Sequence, residues 1–458
     1  MKRIRSLLRW LILSLCLITY PAWTATQEFK LSNGLKLIVK EDHRAPVVVA
    51  QIWYRVGSMD EVSGTTGVAH VLEHMMFKGT HKIPNGKFSK LIAAAGGREN
   101  AFTNRDYTAY FQQLHKSKLP LSFELEADRM QNLVLTEQEF AKEVKVVMEE
   151  RRWRTEDQPQ SLVYEQMAAM AYQAHPYRNP VIGWMNDLEN LRVDDARHWY
   201  QRWYTPANAT LVVVGDVVPQ EVYQLAQRYY GKVKPRALPA RRTFVEPAQR
   251  GLRRVSVKAP AKLPYLLMAY HAPVLRKPLE DWEPYALEML SGVLDGNASA
   301  RLTKALVRES KIASDVGVGY DLAARGPGMF MIEGTPSEGK AVLELETAIR
   351  AEIDKIKTQG VSEEELRRIK AQVLAADVYQ RDSMFYQAMQ IGELEVVGLS
   401  HKILEVRLEK LQAITPAQVQ EVAKKYLLDD QLTIAVLDPQ PIDESKASTP
   451  PKGVSHGR

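Results

Sequence analysis

The stretch Gly67-Val-Ala-His70-Val-Leu-Glu73-His74-Met-Met-Phe-Lys-Gly-Thr80 places two histidines four residues apart, with a glutamate between them. Four residues are about one helical turn, so His70 and His74 project from one helix face. Their imidazoles can then grip one zinc ion together. Glu73 adjoins His74 and lies within a turn of His70, so its carboxylate can reach a water on that metal. The pattern is H-x-x-E-H, the inverse of the H-E-x-x-H motif of zinc proteases.

Zinc takes a third protein ligand and leaves a fourth position for water. Residues 136–153 read as a helix, because Phe140, Val144, Val147 and Met148 recur at helical spacing. Thr136 is placed to cap it, and Glu139, three residues on, completes a capping box. Glu143 and Glu150 share a face, being two turns apart. Residue type and spacing leave Glu143, Glu149 and Glu150 all open as the third ligand.

H-x-x-E-H followed downstream by the pair Glu143 and Glu150 resembles the pitrilysin family of zinc metallopeptidases, which includes insulin-degrading enzyme and the mitochondrial processing peptidases. Residues 67–80 are very similar to the zinc-helix segment of that family. The resemblance implies His70, His74 and Glu150 as metal ligands and Glu73 as general base. It implies Glu143 as a second acid that supports the site without ligating. It also implies a zinc endopeptidase in which Glu73 deprotonates a metal-bound water. The implied fold class is α+β: two homologous domains in tandem, each a mixed or antiparallel sheet packed by helices, forming half of a clamshell chamber.

The N-terminus reads as a targeting segment. Lys2, Arg3, Arg5 and Arg9 precede an apolar run over residues 10–20, too short to span a bilayer. Small residues near Thr24 and Ala25 suit cleavage, so residues 1–25 are expected to be a signal peptide and the mature chain periplasmic. Cys16, the single cysteine, leaves with it, so no disulfide is expected. Removing those four basic residues from 61 Lys and Arg leaves 57 against 55 acidic residues, about +2. The isoelectric point near 9.0 is therefore partly a signal effect, and no nucleic-acid partner is expected. A mean hydropathy of −0.29 excludes a polytopic membrane protein, and no stable membrane insertion is expected after cleavage.

Beyond the signal the chain reads as two similar halves. Residues 35–40 and 47–54 are strands by alternation and β-branched content. Residues 99–113 form two antiparallel strands around Asn104-Arg105-Asp106, and residues 211–216 form a late strand. Leu188, Leu191, Trp203 and the strand at 211–216 are echoed by Leu408, Leu411, Tyr426 and a strand at 432–438. The expected division is a zinc-binding domain over 26–235, a linker over 236–250, a homologous domain over 251–440 and a disordered tail over 441–458. Glu283-Pro-Tyr-Ala-Leu-Glu-Met-Leu-Ser-Gly-Val-Leu294 stands where the zinc helix would recur and holds no histidine, so one zinc per chain is expected.

Peptide substrates need an extended seat. Asn100, Ala101, Phe102 and Thr103 resemble the family segment whose strand edge pairs with a bound peptide. The family's second domain supplies an arginine and, seven residues later, a tyrosine that hold substrate. Arg308 stands at the arginine position, but Asp315 stands where the tyrosine belongs. Two alternatives follow. Tyr320 compensates, or the chain works as a homodimer or as a heterodimer with a metal-free homologous subunit. A peptidase and a partner-dependent, peptide-binding assembly subunit are thus both carried forward.

Overall fold

The computed structural model describes residues 26–442. The expected signal peptide and most of the expected tail lie outside the described residues. In chain order the elements are β1 (Gln27–Lys30), β2 (Lys36–Glu41), β3 (Val47–Tyr54), α1 (Val68–Met75), α2 (Lys87–Ala94), β4 (Arg98–Thr103) and β5 (Thr108–His115). Then come α3 (Leu119–Asn132), α4 (Glu137–Arg151), α5 (Pro159–Ala171), α6 (Met185–Asn190), α7 (Val193–Trp203), β6 (Ala209–Gly215) and α8 (Pro219–Tyr229). The second half holds β7 (Arg253–Pro260), β8 (Tyr265–Ala272), α9 (Glu283–Asp295), β9 (Ala313–Tyr320) and β10 (Gly328–Pro336). It continues with α10 (Val342–Gln359), α11 (Glu363–Arg381), α12 (Met384–Val397), α13 (Ile403–Ala413), α14 (Pro416–Tyr426) and β11 (Leu432–Gln440).

The two sheets share one topology over five strands, and β1 adds an edge strand to the first. The first runs β1-β2-β6-β3-β5-β4 and the second β7-β11-β8-β10-β9. In each, a strand from the end of its half enters beside the first long strand in parallel, β6 on β2 and β11 on β7. The remaining pairings are antiparallel. This is the expected fold class, α+β in two homologous copies.

Each sheet is covered on both faces, which is why its central strands are apolar at nearly every position. Alternate residues of β3 go to opposite cores. Val48, Ala50, Ile52 and Tyr54 meet the helices of the first half. Val49 and Trp53 instead meet Met384, Ala388 and Ile391 of α12, a helix of the second half. The exchange is reciprocal: Leu267, Ala269 and Ala435 of the second sheet pack on Val163, Met167 and Ala171 of α5. Gly392 lets α12 sit flat on the Trp53 ring, since a Cβ there would lie 2.1 Å from Trp53 Cε2. Burying side chains of this size contributes roughly 2–3 kcal/mol each, so the swapped helices bind the halves together strongly.

Residues 233–252 contain no helix or strand, yet they are pinned. Arg241 pairs with Asp60 at 2.6 Å, and Glu246 accepts from the backbone N–H groups of Gln173, Ala174 and His175.

Candidate active site

Local sequence fixes the rotation of α1. Its start is capped by Glu61, whose carboxylate accepts from Gly67 N at 2.9 Å and Ala69 N at 2.8 Å. Gly67 has a left-handed φ of 89°, and a Cβ there would meet Ile182 O at 2.7 Å. Gly183 faces it with the same need. With the entry so held, Val68, Ala69, Val71, Leu72 and Met75 are buried in the first core. His70, Glu73 and His74 are left on the face toward a cavity.

The facing helix is α4. Thr136 caps it as expected by accepting from Glu139 N at 3.3 Å. The capping box is not completed, because the Glu139 carboxylate turns to Asn85 and Lys142 instead. Phe140, Val144 and Val147 are buried, and Glu143 and Glu150 lie buried with them. Glu149 is exposed and paired with Arg152. Burial thus removes Glu149 and leaves Glu143 and Glu150. The chain continues past α4 in a π-type turn over Arg152–Glu156, which carries Arg154 back to Glu150 Oε1 at 2.7 Å.

His70, His74 and Glu150 offer ligand atoms that all lie within 4.8 Å of one another. Glu150 Oε2 stands 3.4 Å from His74 Nε2 and 3.8 Å from His70 Nε2. It is buried and faces both imidazoles. Donors about 2.1 Å from a tetrahedral zinc stand roughly 3.4 Å apart, so this spacing suits that ion. His74 Nδ1 lies 3.3 Å from Glu143 Oε2, an arrangement that turns the other ring nitrogen toward the site. Glu143 is itself held by Lys78 at 2.5 Å.

The electrostatics match a cation site. Burial alone would raise Glu150, but His74, His70 and Arg154 outweigh it and hold the carboxyl at about 2. Burial alone would lower His74, but Glu143, Glu150 and Glu73 push it up to about 9. Glu73 differs: burial raises it to about 7, against the Thr103 hydroxyl that donates to Glu73 Oε2 at 2.5 Å.

The cavity has a volume of about 1290 Å³ and is lined from both halves. Asn100, Ala101, Phe102 and Thr103 of β4 all line it, and β4 is the outer strand of its sheet. Among the described residues, Arg308 does not line it; that side chain is exposed on the helical stretch Thr303–Glu309. Asp315 is exposed on β9, the outer strand of the second sheet. Tyr320 is committed elsewhere, its hydroxyl donating to Pro273 O at 2.5 Å and its ring set against Phe330.

Sequence reading missed Glu61, Arg154 and the grip of Thr103 on Glu73. It also missed Arg151, whose fork holds both oxygens of Glu165 at 2.8 and 2.9 Å and ties α4 to α5. Arg154 stands four residues after Glu150, a helical pairing distance, and the other pairs have no spacing signature.

Comparison with known proteins places the chain. The family model "Insulinase (Peptidase family M16)" matches residues 36–184, and "Peptidase M16 inactive domain" matches residues 190–373. Zinc protease PqqE of Helicobacter pylori is 31% identical over 415 residues, covering 89% of this chain and 92% of that protein. An uncharacterized zinc protease of Bacillus subtilis, YmxG, is 24% identical over 90% of this chain and 98% of its own length. A crystal structure of a protease from Helicobacter pylori superposes with a TM-score of 0.87 at 30% identity, covering 91% of this chain and all (100%) of that one. The chain belongs to the M16, or insulinase, family of two-domain peptidases.

Proposed function

We propose that this chain is a zinc endopeptidase that hydrolyses peptides or unfolded segments in the periplasm. His70, His74 and Glu150 hold one zinc, and Glu143 orients His74. The chemistry supplied by bound zinc is Lewis acidity toward a water and toward the scissile carbonyl. Glu73 takes the proton of the attacking water and returns it to the leaving amine. Burial raises its carboxyl above the usual carboxylate range, the direction that suits a group that takes a proton and then returns it. Thr103 keeps Glu73 aimed while the outer edge of β4 seats the peptide as an added strand. The observation that carries this reading is the convergence of two imidazoles and one buried carboxylate beside a second carboxylate in a large cavity. The basic and apolar N-terminal segment supports the periplasmic location.

The test is hydrolysis of an unfolded polypeptide by the purified chain, with loss on chelation and return on adding zinc. Glu73→Gln should keep the metal and lose hydrolysis by about 10²–10⁴-fold. Wild-type rates in Glu73→Gln would remove Glu73 from the mechanism.

A partner-dependent form of the same activity is favoured by the placement of Arg308 and Asp315. Neither reaches the cavity, and Tyr320 is occupied in the second core. A second copy, or a metal-free homologous subunit, would then complete substrate positioning. Activity per chain that rises with concentration or on adding such a subunit supports this. Full activity in the dilute monomer contradicts it.

A further inference from the structure

Arg105 lies just past β4, in the turn to β5, and lines the cavity. Its guanidinium is set over the rings of Tyr164, at 5.6 Å, and Tyr177, at 5.4 Å. Tyr164 also takes a hydrogen bond from it. Among the described residues it forms no ion pair, in contrast to its neighbours. Arg151 grips Glu165, Arg325 grips Asp60, and Arg154 pairs with Glu150.

The nearby carboxylates are already engaged. Asp106 accepts from the Tyr177 hydroxyl and from Arg325 N at 3.0 Å. Glu73 accepts from Thr103. An arginine held over aromatic rings by cation–π contact keeps its remaining N–H groups for a planar anion. The charge of Arg105 therefore has no full counter-charge until something enters the cavity.

We infer that Arg105 is a substrate anchor that takes a peptide carboxylate, either an Asp or Glu side chain or the free C-terminus. The inference rests on the peptidase reading and adds selectivity to it. Thr103, two residues earlier, touches the proposed base. Two residues of chain reach at most about 7 Å, so the carboxylate lies within about three residues of the cleaved bond. Tyr164 and Tyr177 form the walls of this subsite, and Tyr172, in contact with Tyr177, extends it.

The experiment uses the zinc-loaded full chain and a neutral decapeptide. One arm compares Asp with Asn at each position within three residues of the cut. The other compares a free C-terminal acid with its amide. In one arm, the acid form should be favoured by about tenfold in kcat/KM, carried mainly by KM. Arg105→Gln should shrink that ratio to near unity, and Arg105→Lys should keep part of it. The arm that responds names the source of the carboxylate.

Cleavage with no acid preference in either arm, or a preference untouched by Arg105→Gln, overturns the anchor and leaves the peptidase standing. If no peptide is cut, the peptidase reading has failed instead. The anchor is then judged by anisotropy, using the same peptides, fluorescently labelled, on Glu73→Gln. Equal affinity for acid and neutral forms rejects it, and tighter binding of the acid form, lost in Glu73→Gln with Arg105→Gln, sustains it.

Discussion

Helices α1 and α9 occupy the same place in two copies of one frame, and their burial patterns coincide residue by residue. Val68, Ala69, Val71, Leu72 and Met75 correspond to Ala286, Leu287, Met289, Leu290 and Val293, all buried. In that register His70, Glu73 and His74 fall on Glu288, Ser291 and Gly292, all partly buried. The apolar stripe is set by the fold and recurs. The chemistry is set by three positions on the other face, and there the halves part. Glu288 is taken up by Arg407. Gly292 lets the neighbouring helix close in, since a Cβ there would lie 2.7 Å from Ile369 Cγ2. One copy has kept a gap that a cation can fill, and the other has filled it with packing.

The comparison breaks most visibly if residues are moved between the copies. His70→Glu with His74→Gly gives the first half the second half's residues, and should abolish zinc binding and all measurable hydrolysis. Metal analysis with a peptide assay checks this; retained zinc would mean that the ligands lie elsewhere. Gly292→Ala should leave the zinc content unchanged but destabilise the fold by about 1–3 kcal/mol, because Ile369 must move. An unchanged denaturation midpoint would show that the second half is not tightly closed.

The smallest effect concerns the joint between the halves. His175, 2% exposed, meets the Tyr177 ring edge-to-face and borders Gly326 of the second half. Burial holds it down at about 4, aided by Arg105, Arg325 and Arg276 and opposed by Glu246. Its folded pKa thus lies below the unfolded value of about 6.5. The stability from keeping it neutral is complete above that value and is lost as pH falls toward 4. His175→Gln should flatten the acid limb of a stability-versus-pH curve, and an unaltered limb would contradict the assignment.

Much of this was legible from local pattern. The strands β2 to β6 and the capped start of α4 follow from alternation and from Thr136. The metal helix follows from two histidines one turn apart. Glu150 could not be told from Glu149 by spacing, because adjacent residues differ by only 100° around a helix, and burial decides between them. The swapped helices α5 and α12 were hidden, since nothing local says which sheet a helix will cover. A signal was present, though: both registers of Val47–Tyr54 are apolar, which asks for cover on both faces. Glu61 reaches Gly67 and Ala69, and Arg151 reaches Glu165 and Gly183, at spacings that leave no periodic trace. Arg308 was placed by resemblance alone, and the fold of one chain does not bring it to the cavity.

The central claim is that one half carries one metal site built on His70, His74 and Glu150. Zinc per chain, measured by elemental analysis on the purified wild type and on Glu150→Gln, tests it most directly. The account predicts one zinc per wild-type chain and almost none in the folded variant, with Glu73→Gln still loaded. Two zincs per chain, or an unchanged content in Glu150→Gln, would contradict it.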